Sequence, residues 1–264
     1  MCVAALAWNA HPDWQLVAVG NRDEYHERPA APLARWNDGS GVIAGRDLRS
    51  GGTWLGVSGR GFVLVTNLRG YGDPDPAKAS RGQLVSGLLS GTGPYADPDT
   101  APLDGFNPLN LLHCRDGEAR FLTNRPEPAR AHLPHGIYGL SNGALDEPWP
   151  KTLRLKAALT DWLAADSTDF EALFVALARD TLDDVGLHPR QPSDVPAEAA
   201  ETPVFIRNAL YGTRCSTVVA VNRAGQGVIT ERSFAADGSV AGRDRSERFA
   251  WEPAPPLAIG APAP

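Results

Sequence analysis

Cysteine is scarce: three residues in 264, an odd number with no CxxC spacing. That leaves no material for a disulfide framework and points to a reducing compartment. Long apolar runs are missing too, since none approaches the about 18 residues that a membrane span requires. The N-terminal apolar stretch is broken by Asn9, His11 and Asp13 and has no positive flank, so it does not read as a signal peptide. The expectation is a soluble, cytoplasmic protein. Basic charge is in deficit, with 25 Lys and Arg against 31 Asp and Glu, a net charge of −6. The densest basic segment, 243–248, alternates with acids, and nucleic acid is excluded as a partner. Gly51-Gly52 opens no phosphate loop, because neither GxGxxG nor a GKS or GKT ending accompanies it. His132 and His135 share a proline-containing loop without helical spacing or a companion carboxylate, so no metal and no resident cofactor are expected.

What the chain has instead is punctuation. Its 27 glycines and 23 prolines divide it into short segments, which favours a β-rich body with many turns. Strands are expected at 3–8, 15–20, 41–44, 53–57, 62–66, 110–114, 120–123, 137–140, 216–222, 227–234 and 248–251. Ser80 is placed to cap a helix carrying Leu84, Val85, Leu88 and Leu89 at helical spacing. A second helix is expected through Leu153, Leu159 and Leu163. A third is expected after the capping box Thr168-Asp169-Phe170-Glu171. Residues 187–203 read as an exposed, proline-rich loop. Strands, then helices, then strands again, with few βαβ alternations, imply an α+β fold of largely antiparallel sheets. The reading gives one domain over 1–252 and a flexible Pro/Ala-rich tail over 253–264.

Cys2 heads the apolar run of residues 2–8. Removal of Met1, which a small second residue permits, would leave a thiol nucleophile one bond away from its own α-amine. With a pKa of about 7.7–8.0, that amine can accept the thiol proton near neutral pH. If the first two strands form a hairpin, Arg22 and Asp23 of the polar stretch Asn21-Arg22-Asp23-Glu24 come within reach of Cys2. The Arg would favour the thiolate and the Asp would orient the amine. A separate base, His11 or His26, would make a papain-like pair. The segments Thr66-Asn67-Leu68-Arg69, Gly139-Leu140-Ser141-Asn142 and Tyr211-Gly212-Thr213-Arg214 each set a polar residue at a strand end. There an Asn amide could donate to an oxyanion, and an Arg could hold negative charge.

Together, HPDW at 11–14, NRDEYHERP at 21–29, AGRD at 44–47, GGTWLGV at 51–57, TNLR at 66–69, SRG at 80–82, GFN at 105–107, GIYGLSN at 136–142 and DEPWP at 146–150 closely resemble the NRDE family, the relatives of transport and Golgi organisation protein 2. That family looks like a branch of the N-terminal nucleophile (Ntn) hydrolases, similar to the choloylglycine hydrolase group. The resemblance implies an αββα sandwich and cleavage of a small linear amide or acyl compound, with Cys2 as nucleophile. Asn67 and Asn142 match the oxyanion positions of that group, and Arg214 matches its late-strand Arg. Where that group carries R-N-x-D, this chain reads Gly20-Asn21-Arg22-Asp23, so the Arg is displaced by two residues. The resemblance also admits a non-catalytic reading, a haem or acyl-lipid carrier with Cys2 or His26 as ligand. Trp8, Trp14, Trp36 and Trp54 would then be its apolar walls.

Overall fold

In the first strand, β1 (Cys2–Trp8), Ala4, Leu6 and Trp8 alternate with Val3, Ala5 and Ala7, and all six are buried. A strand apolar on both faces must be covered on both. The even-numbered set enters a core between two sheets, and the odd-numbered set enters a core beneath helices. β2 (Trp14–Tyr25) repeats the division, with Leu16 and Ala18 facing one core and Val17 and Val19 the other. That alternation specifies a layered sandwich. The computed structural model, which describes residues 2–182 and 202–255, has this architecture.

The first sheet has six strands in the order β10-β1-β2-β11-β12-β13. Its later members are β10 (Gly136–Leu140), β11 (Tyr211–Asn222), β12 (Gln226–Ser233) and β13 (Arg245–Ala250). The second sheet has seven strands, in the order β3 to β9. They are β3 (Ala30–Arg35), β4 (Ile43–Asp47), β5 (Leu55–Ser58), β6 (Gly61–Asn67), β7 (Leu109–Arg115), β8 (Glu118–Thr123) and β9 (Ala129–Leu133). Neighbouring strands pair antiparallel throughout. Helix α1 (Arg81–Ser90) covers the outer face of the second sheet. Helices α2 (Pro150–Ala164) and α3 (Glu171–Leu177) cover the outer face of the first. The layers run αββα, as the family resemblance implied. No helix among the described residues is long and apolar enough to cross a membrane.

Ser80 caps α1 as expected, its side chain accepting from the Gly82 N–H at 3.2 Å. Leu84, Val85, Leu88 and Leu89 are all buried, each contributing about 1.5–3 kcal/mol. The third helix starts differently from the expected capping box. The side chain that receives the Glu171 N–H is Asp169, at 2.9 Å, and Phe170 occupies the cap position. Glu171 does not reach back along the chain, because Arg232 holds both of its carboxylate oxygens, at 2.7 and 3.0 Å. β3 and β9 stand beyond the expected strands: Pro32 interrupts the short apolar run of the first, and the second alternates only Ala129, Ala131 and Leu133 with Arg130 and His132. The Ala254 N–H donates to the Arg223 carbonyl at 3.0 Å, which anchors the chain just after 252. Most of the 187–203 loop and the tail beyond 255 lie outside the described residues.

Candidate functional site

β2 does not end at Gly20. Its ladder with β11 continues through Arg22 opposite Cys215 and Asp23 opposite Thr213, across a bulge at Arg214. On its other side Arg22 pairs with Cys2 of β1. Directly opposed residues project to the same face, so the Arg22 side chain lies between two thiols on the inter-sheet face. Asn21 projects to the helix face, where its amide donates to the Leu177 and Val204 carbonyls at 2.8 and 2.9 Å and its oxygen accepts from Ser216 at 2.6 Å. The strand leaves little room for a side chain at Gly20. A side chain at Gly20 would press on the Val3 carbonyl at 3.1 Å and the Ala4 methyl at 3.2 Å. Two residues on, strand parity returns the guanidinium to the same face, beyond that obstruction.

A cleft of about 620 Å³ opens where the two sheets and the α1 N-terminus meet, and Cys2, Arg22, Asp23 and Asn67 all line it. Arg22 is 4% exposed. It donates to Asp47 at 3.1 Å and stacks 4.4 Å from the Trp54 ring centre, while its Nη1 is buried without a partner. Asp47 also receives Arg28 at 2.5 Å and the Arg49 and Ser50 N–H groups at 3.0 Å each. One carboxylate thus fixes two guanidinium groups and the turn that forms the rim.

Burial pushes the Cys2 thiol up from its ordinary value, and the Asp23 charge raises it further. The Asp23 N–H and the Arg22 cation pull the other way. The net direction keeps the sulfur protonated, so nucleophilic attack here requires a base. Asp23 is itself raised by burial and lowered by Thr213, whose hydroxyl donates to it at 2.7 Å, and by the cations Lys151 and Arg22.

Asn142 and Arg214 do not line the cleft with the other four. The Asn142 amide donates to the Asn67 carbonyl at 2.7 Å, and its own carbonyl accepts the Arg69 N–H at 3.0 Å. This residue holds the end of β6 that presents Asn67. Arg214 donates to the Tyr25 and His26 carbonyls, both at 3.0 Å, which pins the turn leaving β2. Of the alternative bases, His11 pairs with Asp166 at 3.0 Å. It sits at the hairpin turn, the length of β1 away from Cys2, roughly 20 Å at strand rise. His26 bonds the Asn208 carbonyl at 2.8 Å. Of the four tryptophans considered as carrier walls, Trp54 alone lines the cleft. Trp8 fills the inter-sheet core, Trp14 packs on Trp162, and Trp36 carries the Arg46 guanidinium.

Two residues escaped the sequence reading. Ser141 donates to the Cys2 carbonyl at 2.8 Å and steadies the start of β1. Lys151 is 2% exposed, donates to Thr202 at 2.8 Å and lies 5.5 Å from the Trp149 ring centre. Burial brings its ammonium down to about 8, against the pull of Asp23 and Cys2. A cation in the first turn of a helix opposes the macrodipole, and that conflict was the available signal of nearby negative charge.

The lowered value has a pH consequence. Between about 8 and the ordinary 10.5 of a lysine, the unfolded chain binds the proton that folded Lys151 has shed. Folding is therefore penalised below that window and relieved as pH rises through it. Lys151→Met should lack this relief. Urea unfolding at pH 7 to 10 should show the wild type gaining stability relative to the variant, and parallel curves would contradict the assignment.

The family described as Transport and Golgi organisation 2 matches residues 1–236. The transport and Golgi organization 2 homologues of Mus musculus and Homo sapiens are each 28% identical, covering 89% of this chain and 93% of their own. The Bos taurus homologue is 30% identical with the same coverage. The motifs that build the cleft lie within the matched residues, and the chain belongs to the Transport and Golgi organisation 2 family.

Proposed function

We propose that this protein is an Ntn-type cysteine amidohydrolase acting on a small linear amide or acyl compound, once Met1 has been removed. The observation that carries the reading is the position of Cys2. It is the first residue of a strand paired on both sides and half-buried at the edge of a polar cleft beside Asp23 and Arg22. Its sulfur is held as the thiol, which suits a mechanism in which the adjacent α-amine takes the proton during attack.

The α-amine accepts the thiol proton as sulfur bonds to the carbonyl carbon, and the carbonyl π pair moves to oxygen. The Asn67 side chain donates to that oxyanion, while Asn142 fixes the strand end that carries it. The oxyanion collapses, the C–N bond breaks, and the α-ammonium returns its proton to the leaving amine. Water, deprotonated by the same amine, then cleaves the thioester and frees the acid and the thiol. Asp23 orients the amine, Arg22 counters charge at sulfur, and Arg214 holds the turn on which Arg22 and Asp23 depend.

Intact mass and substoichiometric alkylation near neutral pH test the premise. The expected result is a chain lacking Met1, with Cys2 labelled far ahead of Cys114 and Cys215, both of which are buried with raised thiol pKa values. Met1 retained, or Cys2 no faster than the others, removes the α-amine mechanism.

A further inference from the structure

The cleft is cationic in a protein that is not. Against a chain charge of −6, its walls carry five basic and four acidic side chains, and the acidic ones are already engaged. Asp47 is taken by Arg22 and Arg28, and Asp23 by Thr213. Glu24 lies 3.7 Å from Arg28 and accepts the Tyr25 N–H, and Asp75 accepts the Ala77 N–H. The cations on the α1 side have no such partners. Among the described residues Arg49, Lys78 and Arg81 form no ion pair. Arg81 spends one hydrogen bond on the Pro108 carbonyl at 2.8 Å, and Lys78 bonds only the Asp104 and Phe106 carbonyls.

Arg81 is half-buried, and burial lowers its pKa while an ionised Cys2 and the Glu24 carboxylate would raise it, so its guanidinium lies within electrostatic reach of both across the cleft. Retaining a half-buried guanidinium without a carboxylate is costly unless an anion visits. Arg81 is also the first residue of α1, whose N-terminal end lines the same wall and adds positive potential. Independently, the buried Nη1 of Arg22 is an unsatisfied donor in this cleft.

We infer that the α1 side of the cleft is an anion subsite, built from Arg81 and Arg49 with Lys78 at its edge. The substrate then carries a carboxylate or phosphate close to its scissile carbonyl. As a statement about substrate, this rests on the amidohydrolase reading. As a statement about binding, it stands without it.

Two alkylating agents of nearly equal size, anionic iodoacetate and neutral iodoacetamide, test the subsite at Cys2 without a known substrate. The readout is the ratio of their rates at Cys2 in the native protein, compared with the ratio at the same residue in the urea-denatured chain. Electrostatic focusing in such a cleft should raise the native ratio about tenfold or more at low ionic strength. Salt should erase the gain, and Arg81→Gln and Arg49→Gln should each cut it several-fold. The iodoacetamide rate reports that each variant retains an intact site. A native ratio no higher than the denatured one, no iodoacetate labelling at Cys2, or a ratio indifferent to Arg81→Gln would overturn the inference. Protection of Cys2 by acetate or by inorganic phosphate tells the two anion classes apart. An anion preference in a chain that keeps Met1 would leave the subsite standing and remove the hydrolase mechanism.

Discussion

Replacing Cys2 by alanine should lower amide turnover by about four to six orders of magnitude, leaving only what the cleft contributes by binding. The change removes a methyl-sized sulfur at a half-buried strand start, so thermal unfolding should move little and the loss will report on chemistry. Turnover is to be followed on an amide found by screening anionic acyl compounds, and full activity in Cys2→Ala would end the proposal. A second variant separates the two functions of this residue. One alanine inserted between Met1 and Cys2 leaves the thiol on its strand opposite Arg22 but converts its nitrogen into an amide. Loss of turnover with retained iodoacetamide labelling identifies the α-amine as the base. Unchanged turnover would instead mean that the thiol reacts through another base.

The second large effect falls on structure. The backbone at Gly52 lies against that of Gly82, so a methyl at position 52 would overlap the Gly82 carbonyl group, and the Thr53 N–H donates to the Gly82 carbonyl at 3.2 Å. Neither backbone can yield alone, because one belongs to the rim fixed by Asp47 and the other to the first turn of α1. Gly52→Ala should therefore cost about 3 kcal/mol or more, the upper end of overpacking penalties. At this chain length that lowers Tm by roughly 6–12 °C. Gly59→Ala, where nothing lies within 4 Å, serves as the comparison and should be close to neutral. Equal stability of the two variants would show that α1 is not seated on this contact. If α1 is displaced in Gly52→Ala, the anion preference at Cys2 should fall with it.

Much of this was legible in the sequence, for reasons that differ by element. The helix after Ser80 announced itself because cap, periodicity and terminating glycine agree. The ends of β2 and the presence of β3 and β9 did not. Asn21 to Glu24 carry no apolar pattern, and their pairing with β1 and the distant β11 keeps them extended. Likewise Ala30–Arg35, short and interrupted by Pro32, pairs with β4, and Ala129–Leu133, exposed along most of its length, pairs with β8. The site divides along the same line. Cys2, Arg22, Asp23 and Asn67 converge as the hairpin argument and the resemblance suggested. Asn142 and Arg214 support backbone at one remove from the cleft, because spacing cannot reveal whether an amide faces a cavity or a neighbouring carbonyl. Lys151 was missed because its burial is a property of α2 packing against β1, and charge alone suggested solvent.

The alternation along β2 also bears on how the molecule is made. Arg22 faces one side of its sheet while Asn21 and Asp23 face the other. A nascent hairpin slipped by a single residue would present the thiol to the wrong neighbour. The same slip would turn Leu16 and Ala18 out of the core that contains them. An assembly error of this kind therefore misplaces the thiol and destabilises the sandwich together. Folding here acts as its own proofreader, and a chain that passes inspection is already addressed correctly at Cys2.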